Sequence, residues 1–458
     1  MQILRVFSVL LLLFLLSCDR PVSVAERGPN IVLILADDLG WRQLGCYGSD
    51  FYWTPNIDQL ANQGIRFTDA YAAAPVCSPT RASLMTGKYP ARLHLTDFIK
   101  GTNQPPESPL KLPEWTPYLK LEETTIAEAL KNQGYATACF GKWHLSKAKQ
   151  PPASDSHNPD KQGFDQYFVT YKPEEGLARP WQTAEDDGHN VRLITEKSLQ
   201  FIEENRENPF FLYISHNTIH RPLMEKAKLI GKYQEKAKSD KAENNPVIAA
   251  MIETLDRSVG QVIAKLTALD LTDNTMVVFF SDNGGLATLS DQTPLRSGKG
   301  SLYEGGIRVP LIFKWPGHIK AGTIDATPVC SIDFFPTLLA VAGRKETGRD
   351  LDGENILPLL TGKGDIRREA LFFHYPHFHK AGEGPSGAVR QGDFKLIEWY
   401  EKSYKGIDQP GALELFNLRN DIGEQHNLAA EDMQLTRELY ERLNRWRKEI
   451  GAQDMVRK

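Results

Sequence analysis

The sequence predicts an α/β fold: a large mixed, mostly parallel doubly wound sheet, followed by a smaller α+β subdomain at the carboxyl end. Three features of the chain point there. Four short, continuous apolar runs read as strands buried on both faces, segments of helical period fall between them, and the 458 residues exceed most single compact domains. Strands that alternate with helices pair in parallel.

The first strand is Asn30 to Ala36, and it ends directly in Asp37-Asp38-Leu39-Gly40. Pro55 to Gln63 has helical spacing. A second helical stretch, about Thr124 to Gln133, leads through Gly134 into the strand Tyr135 to Phe140, which delivers Gly141-Lys142-Trp143-His144. His189 to Glu204 reads as a helix and Pro209 to Ser215 as the third strand, ending at His216-Asn217-Thr218-Ile219-His220-Arg221-Pro222. Pro246 to Leu269 is a long helix, and the fourth strand, Thr275 to Ser281, ends at Asp282-Asn283-Gly284-Gly285. Each strand thus releases charged or amide groups at its carboxyl end, where open α/β sheets place their ligand sites. Past Gly362-Lys363-Gly364, the segments Leu371 to His374, Phe394 to Ile397 and Leu413 to Asn417 read as short strands between Gly-rich turns, and Asp432 to Ile450 as a closing helix. The expected division is a large domain over 28–362 and a subdomain over 363–458.

The amino terminus speaks to compartment. Arg5 precedes Val6 to Leu16, apolar except for Ser8, and Ser17-Cys18 follows. A charged start, a short apolar core and a small residue make a signal peptide over 1–17, too short to span a bilayer comfortably. Leu15-Leu16-Ser17-Cys18 resembles the lipobox of bacterial lipoproteins, which implies lipidation of Cys18, a polar tether over 18–27, and a membrane-anchored protein facing the periplasm or cell surface. With Cys18 acylated and Cys77 modified as described below, Cys46, Cys139 and Cys330 allow at most one bridge, so the fold rests on its core. A net charge of −4 excludes a surface that holds polyanions by bulk charge, and no nucleic-acid partner is expected. The run from Glu225 to Asn245 mixes both signs and reads as a solvated helix or insertion.

Cys77-Ser78-Pro79-Thr80-Arg81, continuing through Ala82-Ser83-Leu84-Met85-Thr86-Gly87, resembles the signature of sulfatases, in which the cysteine is oxidised after translation to formylglycine. Further pieces follow in the order of that branch of the alkaline phosphatase superfamily: Asp37-Asp38, Gly141 to His144, His220 to Pro222, Asp282 to Gly285, Gly298-Lys299-Gly300 and Glu304 to Pro310. The resemblance implies a sulfuric ester hydrolase with an alkaline phosphatase/sulfatase-like fold and a formylglycine-generating or anaerobic maturation enzyme as partner. It implies that Asp37, Asp38, Asp282 and Asn283 bind Ca²⁺, with Mg²⁺ the lesser candidate, together with an oxygen of the modified Cys77. Arg81 and Lys142 correspond to residues that hold the formylglycine hydroxyls and the sulfate. His144 corresponds to the base that takes a proton as sulfate leaves. His220 and Lys299 correspond to groups on sulfate and the leaving alcohol, with His220 donating the proton.

These residue types also suit the chemistry on their own terms. A sulfate ester repels nucleophiles and builds charge on its bridging oxygen, so it needs a hard divalent cation and fixed positive groups. The competing readings are a helix cap or turn at Asp37-Asp38, an Asx turn at Asp282-Asn283-Gly284, and ordinary surface lysines at Lys142 and Lys299. His216 is left outside the expected site. For substrate, His374-Tyr375-Pro376-His377-Phe378-His379 has the composition of a sugar-ring subsite, or of packing between domains, with Arg179 and Trp181 weaker candidates. The expected function is hydrolysis of sulfate esters on a sulfated carbohydrate. The alternatives are a phosphonate or phosphate-ester hydrolase on the same scaffold, or an inactive glycan-binding lipoprotein.

Overall fold

The computed structural model describes residues 28–101, 104–147, 155–171, 189–236, 245–344 and 350–458, and the backbone of 182–184. The signal peptide, Cys18, the 18–27 tether, Arg179 and Trp181 lie outside the described residues.

Eight strands form the main sheet: β1 (Asn30–Ala36), β2 (Ile65–Phe67), β3 (Ala136–Gly141), β4 (Gln166–Val169), β5 (Phe210–Ser215), β6 (Thr275–Ser281), β7 (Leu311–Lys314) and β8 (Thr323–Asp325). Their spatial order is β8-β2-β7-β6-β1-β5-β3-β4. The run from β6 to β4 is parallel, and β7 is antiparallel to both β6 and β2. All four expected strands are present within a residue of their expected limits. β7 was not expected, since a four-residue run is too short to show a period.

Register is what assembles the site. Ala36 lies level with Ser281, Leu35 level with Ser215, and Ser215 level with Gly141. Asp37, Lys142, His216 and Asp282 therefore leave the sheet along one edge.

Alternation along the central strands fills both faces. Leu33, Leu35, Phe211, Tyr213, Val278 and Phe280 point to one core, and Val32, Ile34, Leu212, Ile214, Val277 and Phe279 to the other. Each such side chain contributes on the order of 1.5–3 kcal/mol by leaving water. The covering helices are α1 (Pro55–Asn62), α2 (Cys77–Thr86), α3 (Ile126–Lys131), α4 (Val191–Glu204) and α5 (Pro246–Ala268). A reciprocal cap between Thr125 and Glu128 starts α3. Pro246 opens α5 while the Asn245 side chain accepts from the Val247 and Ile248 amides.

A second sheet, β9 (Leu371–Tyr375), β10 (Ser386–Gln391), β11 (Phe394–Trp399) and β12 (Leu413–Asn417), is antiparallel between consecutive strands. Helix α6 (Met433–Glu449) packs on it through Leu439, Leu443 and Trp446. Buried ion pairs tie it to the main domain. Lys395 stands 2.8 Å from Glu304 and 2.9 Å from Glu424, and Arg390 stands 2.7 Å from Asp69. Cys46, Cys77, Cys139 and Cys330 are free thiols, and no disulfide occurs among the described residues.

Candidate active site

Four segments converge where β1, β3 and β6 end and α2 begins. Asp37 and Asp38 are 1% exposed, and Arg81, Asp282 and Asn283 are fully buried. Cys77, the first residue of α2, points its Sγ to within 3.3 Å of Asp37 Oδ1 and 3.6 Å of Lys299 Nζ. Lys142 Nζ is 2.7 Å from Asp37 Oδ2, and Lys299 Nζ is 2.6 Å from Asp38 Oδ1. Arg81 donates to Asp282 through Nε at 2.8 Å, and to the Lys142 carbonyl and Ser215 Oγ through Nη1. Asp38 and His144 both hold positive φ, at 64° and 60°, a conformation that side chains other than glycine adopt at a cost.

The charges sort into a balanced set. Three carboxylates, Asp37, Asp38 and Asp282, face three cations, Arg81, Lys142 and Lys299. Burial works to raise the Asp38 carboxyl, but Lys299, His220 and Lys142 override it and hold the group well below the usual carboxylate range. Burial pushes the Asp282 carboxyl up, and Asp37 pushes the same way against Arg81. Burial, with Asp282 and Asp37 beside it, also lifts the Cys77 thiol far above its ordinary range. An unmodified Cys77 is thus a protonated thiol and a poor nucleophile.

The donor set fits a hard divalent cation. Asp38 Oδ2 and Asn283 Oδ1 are buried without a hydrogen-bond partner, an expensive arrangement unless an ion takes their lone pairs. The Asn283 amide is already oriented for this, because its Nδ2 donates to Asp38 Oδ1 and to the Gly284 carbonyl. Ligand atoms from Asp37, Asp38, Cys77 and His220 also lie within 4.8 Å of one another. With a divalent ion added, the balanced set acquires a surplus of two positive charges, which suits an anionic substrate.

Two histidines flank this centre with different free atoms. His144 Nε2 donates to the Ile99 carbonyl, which can only accept, so the proton sits there and the buried, unpartnered Nδ1 keeps its lone pair. Burial, with Lys142 next, holds the His144 ring well below its ordinary range and so neutral. His220 Nδ1 donates to the Arg221 carbonyl at 2.6 Å, leaving Nε2 3.9 Å from Asp38 Oδ2.

A cavity of about 190 Å³ opens onto Asp37, Lys142, His144 and His220. Its remaining wall includes Phe98, Lys100, Thr170, Tyr171 and Asn217, none of which the sequence had singled out. Residues 98–101 come from a loop with no motif of its own, fixed by Ser78 Oγ on the Ile99 amide and by Asp97, which accepts from Tyr375.

A sulfatase family model matches residues 29–344, and a second, for the carboxyl-terminal region of N-sulphoglucosamine sulphohydrolase, matches 298–449. The chain belongs to the sulfatase family. Its members are sulfuric ester hydrolases that use formylglycine and a divalent metal. The chain is 31% identical to a sulfatase of Formosa agariphila, over 91% of this chain and 87% of that protein. It is 33% identical to human arylsulfatase A, over 90% and 86% respectively. The crystal structure of Ps i-CgsB in complex with k-i-k-neocarrahexaose superposes with a TM-score of 0.75 at 29% identity, covering 92% of this chain and 93% of that one.

Within this sulfatase, the residues expected at the strand ends stand together, but the expected sugar subsite needs correction. The Arg81 guanidinium, fully buried, holds Asp282 and ties the Lys142 and Ser215 ends of two strands. The three histidines expected as a sugar subsite are split. His374 is 4% exposed with both ring nitrogens bonded, to Tyr400 Oη at 2.7 Å and the Gln453 carbonyl at 2.9 Å. His377 is fully buried, 2.8 Å from Thr96 Oγ1. Both are enclosed by protein contacts and present no surface to a sugar ring. His379 alone lies toward the site, against Phe98 and over Gly300, whose φ of 87° leaves no room for a Cβ beneath the ring. Burial, followed by Lys299, lowers the His379 imidazole to about 4. His216 is buried and 3.1 Å from Ser258 Oγ, outside the centre as expected.

Proposed function

We propose that this sulfatase removes sulfate from a sulfated carbohydrate, using formylglycine made from Cys77 and a Ca²⁺ ion held by Asp37, Asp38, Asp282 and Asn283. The observation that carries this reading is the unpartnered pair Asp38 Oδ2 and Asn283 Oδ1 beside a buried Cys77 at the foot of a cavity. The ion would neutralise sulfate charge, and the hydrated aldehyde would supply two hydroxyls on one carbon. Lys142 and Lys299 hold the sulfate oxygens. When the bond from sulfur to the alcohol oxygen breaks, His220, in its imidazolium form, would deliver the Nε2 proton to that oxygen. His144 Nδ1 would take a proton from the second hydroxyl of the modified residue, which that group needs in order to release sulfate. Support for carbohydrate comes from the carrageenan fragment bound in the superposed structure, and from a cavity wall that adds Phe98 and Tyr171 to the charged centre.

The test is the mass of the peptide containing Cys77 in active protein, with elemental analysis of the same sample. Conversion removes sulfur and two hydrogens and adds one oxygen, and calcium should be present at one ion per chain. An active sample whose Cys77 remains a thiol overturns the reading. The amino-terminal segment supports export and anchoring through Cys18. Labelled fatty acid should enter the wild-type chain and not Cys18→Ala.

A further inference from the structure

A second groove, of about 510 Å³, lies on the outer side of the helix layer formed by α4, α5 and the helix Ala227–Lys236. It shares no lining residue with the cavity at the strand ends. Five cations, Arg192, Lys226, Lys228, Lys232 and Arg257, line it with one carboxylate, Glu253. Glu253 is already shared between Lys232 and Arg257, at 2.6 Å from each, and it accepts from Tyr233 as well. Lys226 and Lys228 are exposed and form no ion pair with any described residue.

An aromatic surface continues the groove. Trp53 is 56% exposed, the Lys232 ammonium stands 5.9 Å from its ring centroid, and it borders a further hollow of about 270 Å³. A solvent-facing indole beside a line of cations matches a ligand that alternates flat apolar faces with anions.

We propose that this groove is a secondary binding site for a linear sulfated polysaccharide, distinct from the catalytic cavity, in which the lysines meet sulfate groups and Trp53 stacks on a sugar ring. It rests on the reading that the substrate is a sulfated carbohydrate and adds where the rest of the polymer lies. With a net charge of −4 the protein has no long-range attraction for such a chain, so the affinity is local. Holding the polymer here raises its effective concentration at the active site. A flat anionic membrane is a poorer match, because the cations line a concavity and Trp53 stands without an apolar ring around it.

The experiment measures binding of iota-carrageenan, fucoidan and chondroitin sulfate to the full chain in a Cys77→Ala background, so that no polymer is consumed, with agarose and phosphatidylglycerol vesicles as controls. Turnover of 4-nitrophenyl sulfate is followed in the unmutated background. At least one sulfated polymer should bind, more weakly as salt rises. Lys226→Glu/Lys228→Glu should lower that affinity about tenfold, or about 1.4 kcal/mol, and Trp53→Ala about threefold, with aryl sulfate turnover within about a factor of two. Failure of all three polymers to bind, undiminished binding in the variants, equal binding of agarose, or vesicle binding lost in parallel would each overturn the proposal. A protein that binds polymer through the groove yet hydrolyses no sulfate ester would sink the proposed function and leave the groove standing.

Discussion

The strand-end centre and the start of the second sheet are both dense in buried polar side chains, and they differ in what those side chains touch. At the strand ends, Asp38 Oδ2, Asn283 Oδ1 and His144 Nδ1 are buried without partners. In the second sheet, His374 has both nitrogens bonded, and His377 is held through Nε2 by Thr96 while its buried Nδ1 has no hydrogen-bond partner. What separates the regions is convergence: at the strand ends unpaired oxygens meet at one point among balanced charges, as an ion site requires, whereas His374 spends both nitrogens on neighbouring segments.

The sharpest way to break this contrast is at Cys77. Cys77→Ala should lower turnover by about 10⁴-fold or more while substrate still binds, as equilibrium binding of a sulfate ester would record. Near-normal turnover would remove the strand-end centre from the chemistry. Next in size is His220→Ala, expected to cost about 10²–10⁴-fold on sugar sulfates, whose alcohols leave poorly, and far less on aryl sulfates. His144→Ala should instead release one equivalent of alcohol and then stall; a linear time course from the first turnover would assign that histidine another role.

The second sheet should answer through stability. His374→Ala leaves Tyr400 Oη and the Gln453 carbonyl without their partner, so it should cost about 1–3 kcal/mol in unfolding free energy, read by denaturant titration. The ratio of sugar to aryl sulfate turnover should stay unchanged, and a selective loss on sugar would return the residue to the substrate. The smallest effect concerns pH. Burial raises the Glu424 carboxyl to about 7, with Glu304 pushing the same way and Lys395 opposing. A carboxyl raised in the folded state binds its proton more tightly there than in the unfolded chain. Its contribution is therefore fully present below the ordinary carboxylate range and is lost as pH rises through about 7. Glu424→Gln should flatten the decline in melting temperature between about pH 5 and 8, and an unchanged slope would show that the group does not titrate in this window.

How much of this was legible beforehand follows from the same contrast. Asp37-Asp38 and Asp282-Asn283 could be read because each directly follows a long apolar strand, where a carboxylate needs a partner that local sequence does not supply. The parallel strands were equally plain. The wall made by Phe98, Lys100 and Tyr171 was not, since the loop at 98–101 is shaped by contacts with Ser78 and with Tyr375, 277 positions after Phe98 in the chain, which no local pattern encodes. The histidines of 374–379 misled because composition reports what a side chain can touch and leaves out which way the strand faces. Register decided that: β9 turns His374 toward Tyr400 and Gln453.

The burial of Cys77 sets an order of events in the life of the chain. In the finished fold Cys77 is 2% exposed, its sulfur against Asp37 and Lys299 at the head of a helix whose ten residues are all buried. No second enzyme can seat a peptide segment that is already wound into that helix and covered by two domains. On the proposed function, oxidation of Cys77 would therefore belong to the interval between synthesis and folding. A chain that folded first would be locked as an inert thiol form, and the yield of active enzyme would then be set by a race between maturation and folding.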